Sequence, residues 1–236
     1  MIKLYGISDS LGAFQGDNAS NNDTTVDALR QWYHIDIKEQ RLRCLGHVIN
    51  LVVQALLYGE NLSVFKQELD GASDLSQFKI WRKRGSIGKC HNLVVYICRS
   101  EQRTGVFNDI QRELANELKS SVLRLKRDIG VRWNSTYTMI DRVIKLMAPI
   151  DAYCHCWQRP KGKDAYDLTA DFLDQQDWEE LRHLHELLRP FQTTSVIWQG
   201  KAVGGQGRAL WEVLPVFNKL KMRHYYTLTD ETCLYR

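Results

Sequence analysis

Residues that break regular structure are scarce in this chain, which carries only 4 prolines and 15 glycines among 236 residues. Proline removes a backbone donor and glycine adds conformational freedom, so a chain poor in both can run long helices. The same scarcity excludes collagen-like, linker-like and low-complexity folds. With 44% apolar and 25% charged residues, the chain can build a real core, which argues against wholesale disorder. Its length suits one large domain or two small ones.

The first ten residues, MIKLYGISDS, lack the apolar stretch and small-residue cleavage site of a secretory signal. The longest apolar-rich stretch, Val48–Tyr58, is interrupted by Asn50 and Gln54 and falls short of the roughly 20 residues that cross a bilayer. Six cysteines, at 44, 90, 98, 154, 156 and 233, have no framework spacing and read as reduced thiols of cytosol or nucleus.

Leu11–Phe14 reads as a short buried strand that delivers Asp17 at its end. A polar, turn-rich stretch follows, and Val26, Leu29, Trp32 and Tyr33 predict a helix starting near Asp23 or Thr24. A second strand fits within Ile35–Arg43. Cys44–Tyr58 then reads as a helix whose apolar face is Val48, Leu51, Val52, Ala55 and Leu56. Everything after Gly59 has helical periodicity. The clearest run is Trp178, Leu181, Leu184, Leu188 and Phe191, with Pro190 as a kink or an end.

The mild net charge of +4 hides an uneven distribution. Lys79–Arg103 holds seven basic residues against Glu101, and Lys119–Lys145 holds seven against Asp128 and Asp141. Asp164–Glu186 reverses the sign, with eight acids against Arg182. A basic middle of this kind points to a phosphate-facing surface.

Three motifs could carry chemistry. Asp17, at a strand end beside a polar loop, suits a divalent-metal ligand, although a turn or cap role is the simpler reading from the residues alone. Cys44 and His47 have the spacing of two zinc ligands, but no second pair completes a site, and a packed junction is the simpler reading. Arg132 and Trp133 set a cation beside a large π surface at a helix start, a pairing suited to phosphate contact and base stacking; a core Trp beside a helix cap competes with it. Trp81-Arg82-Lys83-Arg84 repeats that pairing, against the alternative of a solvated basic helix face. Cys90-His91 is rejected as a nucleophilic pair because neighbours on a helix point in different directions.

Taken in order, GAFQGDNASNNDT (12–24), RLRCLGHVINLVVQALLYG (41–59), WRKRGSIGKCHNLVVYI (81–97), VRWNSTYTMIDRVIKL (131–146), DWEELRHLHELLRPF (177–191) and ALWEVLP (209–215) resemble hAT-superfamily DNA transposases, in particular the fungal Restless-like group. The resemblance covers residues 5 to 224. It implies a mainly α chain, with a partial RNase H-like α/β core over 1–58 and a helical insertion domain over 59–236. It also implies metal binding by Asp17, a structural role for Cys44 and His47, phosphate contact by Arg132 and base stacking by Trp133. Arg82, Lys83 and Arg84 are further DNA-binding candidates. Transposon-end DNA, Mg²⁺ or Mn²⁺, self-association in full-length relatives and a nuclear location are implied in the same way.

The sequence departs from the family pattern by showing one catalytic carboxylate of three, no BED-type zinc finger, no dimerisation segment, and Val131 where Thr is usual. It is therefore expected to be a transposase fragment without strand-cleaving activity. A domesticated DNA-binding module and a helical interaction scaffold are the alternatives.

Overall fold

The computed structural model describes residues 14–16, 20–33, 41–43, 45–59, 61–118, 121–128, 133–161 and 166–198. The chain divides into two compact units, Met1–Val52 with Thr194–Arg236, and Val53–Thr193.

In the first unit, strand β1 (Phe14–Gly16), helix α1 (Ser20–Tyr33) and strand β2 (Arg41–Arg43) follow in order. The strands pair in parallel, with Phe14 opposite Arg41 and Gly16 opposite Arg43. A parallel pair needs a crossover, and α1 supplies it. Asp17 and Cys44 lie outside the described residues, as does the sequence string 209–215.

Helix α2 (Leu45–Tyr58) corrects the expected apolar face. Ile49, Val53, Leu57 and Tyr58 are buried, while Leu51, Val52 and Leu56 stand about half exposed. The helix is apolar nearly all round, so periodicity could not select the buried stripe. Gly59 ends it with φ +71 and donates its N–H to the Ala55 carbonyl at 2.8 Å, a left-handed stop that glycine adopts without strain.

The second unit is wholly helical apart from its connections. It contains α3 (Leu62–Asp70), α4 (Asp74–Arg82), α5 (Gly85–Cys98), α6 (Glu101–Leu118), α7 (Trp133–Lys145) and α8 (Met147–Cys156). A short 3-10 turn, Leu168–Asp171, leads into α9 (Gln175–Trp198). Ser73 caps α4 by accepting from the Ser76 N–H at 3.4 Å. Asp74 in the first turn and Lys79 and Arg82 in the last turn complement the helix dipole.

Helix α5 is the centre of this unit, with Ile87, Cys90 and every residue from Asn92 to Ile97 buried. Around it the core gathers Phe78, Phe107, Leu125, Met139, Ile140, Ile150, Leu168, Trp178 and Leu181. Helices α4 and α5 meet at backbone distance: a Cβ on Gly88 would lie 1.8 Å from the Trp81 carbonyl oxygen. The turn between them uses Gly85 at φ +61.

Two expectations change. Residues 121–128 are an irregular strap rather than helix. Pro190 neither ends nor divides α9, which runs on to Trp198.

Candidate nucleic-acid interface

Positive charge marks a nucleic-acid surface only where it is free to meet phosphate. Much of the first basic stretch is engaged inside the protein. Arg82 donates from Nε to Asp171 Oδ1 at 2.9 Å and from Nη2 to Oδ2 at 2.8 Å, and Nη2 also donates to the Tyr166 hydroxyl at 2.7 Å. Asn92 adds a bond to Asp171 Oδ1 at 2.9 Å and one to the Phe78 carbonyl at 2.8 Å. The Tyr166 hydroxyl donates to Asp171 Oδ2. Asp171 is thus a buried carboxylate with both oxygens satisfied, and its bonds hold the Arg82 guanidinium more firmly protonated than usual. Burial, followed by the bond to Asp171, pushes the Tyr166 phenol up.

Lys89 is tied to Asp177 at 2.6 Å, with Asp174 at 3.6 Å. The bond to Asp177 outweighs desolvation and holds the ammonium above its usual range. Arg84 donates to the Tyr58 carbonyl at 2.7 Å and lies over the Phe65 ring at 4.3 Å. Arg103 donates to the Tyr96 carbonyl at 2.9 Å and covers that ring at 3.8 Å. Arg99 pairs with exposed Asp74 at 3.1 Å. Lys79 and Lys83 remain exposed, without an ion pair among the described residues. The basic middle and the acidic later segment therefore neutralise each other in part, through Arg82–Asp171 and Lys89–Asp177.

The strap between α6 and α7 behaves differently. Leu125 anchors it in the core. Gln111 grips the Leu123 backbone from both sides, accepting from its N–H at 2.9 Å and donating to its carbonyl at 3.0 Å. Arg142 donates to the Arg124 carbonyl at 2.6 Å. Those ties fix the main chain, while the side chains of Arg124, Lys126 and Arg127 remain exposed with no ion pair among the described residues. Sequence reading placed all three in a basic stretch but did not separate them from paired neighbours. The alternation of exposed Arg124, buried Leu125 and exposed Lys126 was the available signal.

Beside the strap opens a cleft of about 750 Å³, lined among others by Lys66 of α3, Trp81 of α4, His91 of α5, and Arg127 and Asp128 of the strap. The Trp81 and His91 rings stack with centroids 3.8 Å apart and planes 14° from parallel. His91 Nδ1 lies 2.6 Å from Asp128 Oδ1. The Asp128 side chain is fully enclosed, and its Oδ2 has no partner among the described residues. Sequence reading did not foresee this pair, which joins residues 37 positions apart. The neighbouring Cys90 is also fully buried, and that burial pushes its thiol up, away from thiolate chemistry.

Other expected site residues are placed as follows. Trp133 opens α7 and is 3% exposed, so its indole is enclosed by protein and a stacking base has no access to it in this conformation. Arg132 lies outside the described residues. His47 is half-buried on α2. Among the described residues no three His, Cys, Asp or Glu side chains gather into a metal site, and Asp17 is not among them. The described donor set does not fit a two-metal centre, and no metal-dependent step is assigned to it.

Residues 42–187, more than half of the chain, match the family described as the ZBED1 RNase-like helical domain. The chain belongs to that family. The matched span of this RNase-like helical domain contains α3 to α8, the strap and the cleft. A relative from Talaromyces stipitatus named "Putative transcriptional regulator tpeD" is 27% identical over 91% of the chain. The chain spans about a quarter of that relative's length. No solved structure matches the chain.

Proposed function

We propose that this RNase-like helical domain binds DNA in the nucleus, and that its exposed strap cations Arg124, Lys126 and Arg127 meet the phosphate backbone. The observation that carries this reading is the contrast in charge use. Arg82, Arg84 and Lys89 are committed to internal partners, whereas the strap holds three exposed cations on a fixed main chain. The family match supports it, as does the Talaromyces relative, whose name describes a transcriptional regulator. Among the earlier candidates, Lys83 stays available as a phosphate contact, and Arg82 and Arg84 are assigned to the fold.

The test is duplex-DNA affinity measured across salt concentrations for the full chain and for an Arg124→Ala/Lys126→Ala/Arg127→Ala variant. Each lost phosphate contact lowers the slope of log affinity against log salt by about 0.9, so a drop of about 2 to 3 is expected. An unchanged slope would exclude the strap, and absence of binding by the unmodified chain would refute DNA binding altogether.

The second reading is ancestry in hAT-type strand transfer, favoured by the ordered strings that lead from 12–24 to 131–146. There Asp17 would hold Mg²⁺ or Mn²⁺ within a longer catalytic assembly, with Arg132 on phosphate. Trp133 would have to leave its enclosed position to stack on a base.

A further inference from the structure

We infer that the cleft between α3, α4, α5 and the strap is a binding site for a phosphate group, with His91 as its central ligand and Lys66 and Arg127 as its flanking cations. The cleft is large enough, at about 750 Å³, for a phosphate ester rather than a lone ion. Its charges come from different elements. Lys66 and Arg127 face it with no ion pair among the described residues, Arg99 is shared with Asp74, and Asp70 and Asp128 are the acids in the lining.

The second observation is Asp128. Asp128 Oδ1 takes the His91 Nδ1 and Oδ2 takes nothing. A carboxylate placed this way fixes the orientation of the imidazole. Trp81 presses on the ring from one face and holds its plane.

His91 Nε2 then has no partner among the described residues, on a ring that lines the cleft. Nδ1 meets Asp128, which leaves Nε2 as the ring atom that would donate an N–H to a phosphate oxygen. Lys66 and Arg127 neutralise the remaining charge by charge-assisted bonds. The phosphate can be a backbone phosphodiester of DNA or a free phosphate group. Only the DNA form rests on the proposed function.

The experiment uses the full chain with ¹⁵N-labelled histidine. The His91 ring resonances, identified by their loss in His91→Gln, are followed during titration with inorganic phosphate and, separately, with a short DNA duplex. Movement of the His91 signals by either ligand supports the site, provided a Lys66→Ala/Arg127→Ala variant binds that ligand at least about tenfold more weakly. Both replaced residues are exposed, so the variant keeps its fold. A response to phosphate alone identifies a site for free phosphate groups, and DNA affinity then judges the proposed function separately. If neither ligand moves the His91 signals, or if the double variant responds like the parent, the inference is overturned.

Discussion

Two buried aspartates contact the same helix pair, and they are used in opposite ways. Trp81 and His91 face the cleft, where His91 meets Asp128; their immediate neighbours Arg82 and Asn92 turn to Asp171. Asp171 receives donors on both oxygens. Asp128 receives one, at 2.6 Å, and leaves Oδ2 idle. A saturated carboxylate has no capacity left and can only hold the fold together. A half-used one in the wall of an open cleft keeps a ring in position and retains unused bonding capacity. Burial alone does not distinguish these two acids, whereas the count of their donors does.

Asp171→Asn should break the fuller site with the largest effect. The amide would turn its own donors toward Arg82 or Tyr166, leaving a charge unmatched at a cost of about 3 kcal/mol, reduced somewhat by the partial exposure of Arg82. A fall of about 6–12 °C in melting temperature measures it.

Gly88→Ala should come next, because its Cβ collides with the Trp81 carbonyl and forces α4 and α5 apart. A cost of about 2 kcal/mol is expected from such overpacking. Both aspartate sites span these two helices, so the His91 ring resonances should move as stability falls. If they stay in place, the two sites are less coupled than their shared helices imply.

Asp128→Asn should cost less than about 1 kcal/mol, since an amide oxygen still accepts from His91 and the idle charge is gone. Comparable losses in the two Asp→Asn variants would remove the distinction between the sites.

The smallest effect belongs to a third acid, Asp141, which meets Lys145 at 2.7 Å and His185 at 3.2 Å. Partial burial would raise its carboxyl, but the bonds from Lys145 and His185 outweigh it and hold the group below the usual carboxylate range. A lowered folded value contributes stability above the ordinary value of about 3.9, and that contribution fades as pH falls through the folded value. Asp141→Asn should therefore cost about 0.5 kcal/mol at pH 7, a difference from the parent that shrinks as pH falls below about 4, so that the acid limb of denaturation flattens.

Much of the fold was legible because helices of the second unit announce themselves locally. The stripe Trp178, Leu181 and Leu188 is buried as its spacing implies. The limits were also local in origin. Helix α2 is apolar on nearly every side, so the side it buries depends on its neighbours rather than on its own period. Pro190 read as a kink or an end because sequence shows a lost donor; it does not end the helix, which continues to Trp198.

Charge was the least legible property. Arg82 and Lys89 counted toward a DNA-facing surface, yet their partners Asp171 and Asp177 stand 89 and 88 residues away. No pattern within a stretch can show that pairing. The strap cations look the same in sequence and differ in having no ion pair among the described residues. The pair formed by His91 and Asp128 was hidden for the same reason.

The span of the Arg82–Asp171 tie also bears on how the chain reaches and keeps its folded state. Bringing together groups 89 residues apart closes a long loop, which is entropically costly until the intervening helices have docked. The hairpin of α4 and α5 is local and can assemble early, whereas the tie can close only late. Interactions made after the folding barrier hardly alter the rate of folding and chiefly slow its reversal. Asp171 accordingly acts as a latch, setting how long the folded state persists rather than how quickly it forms.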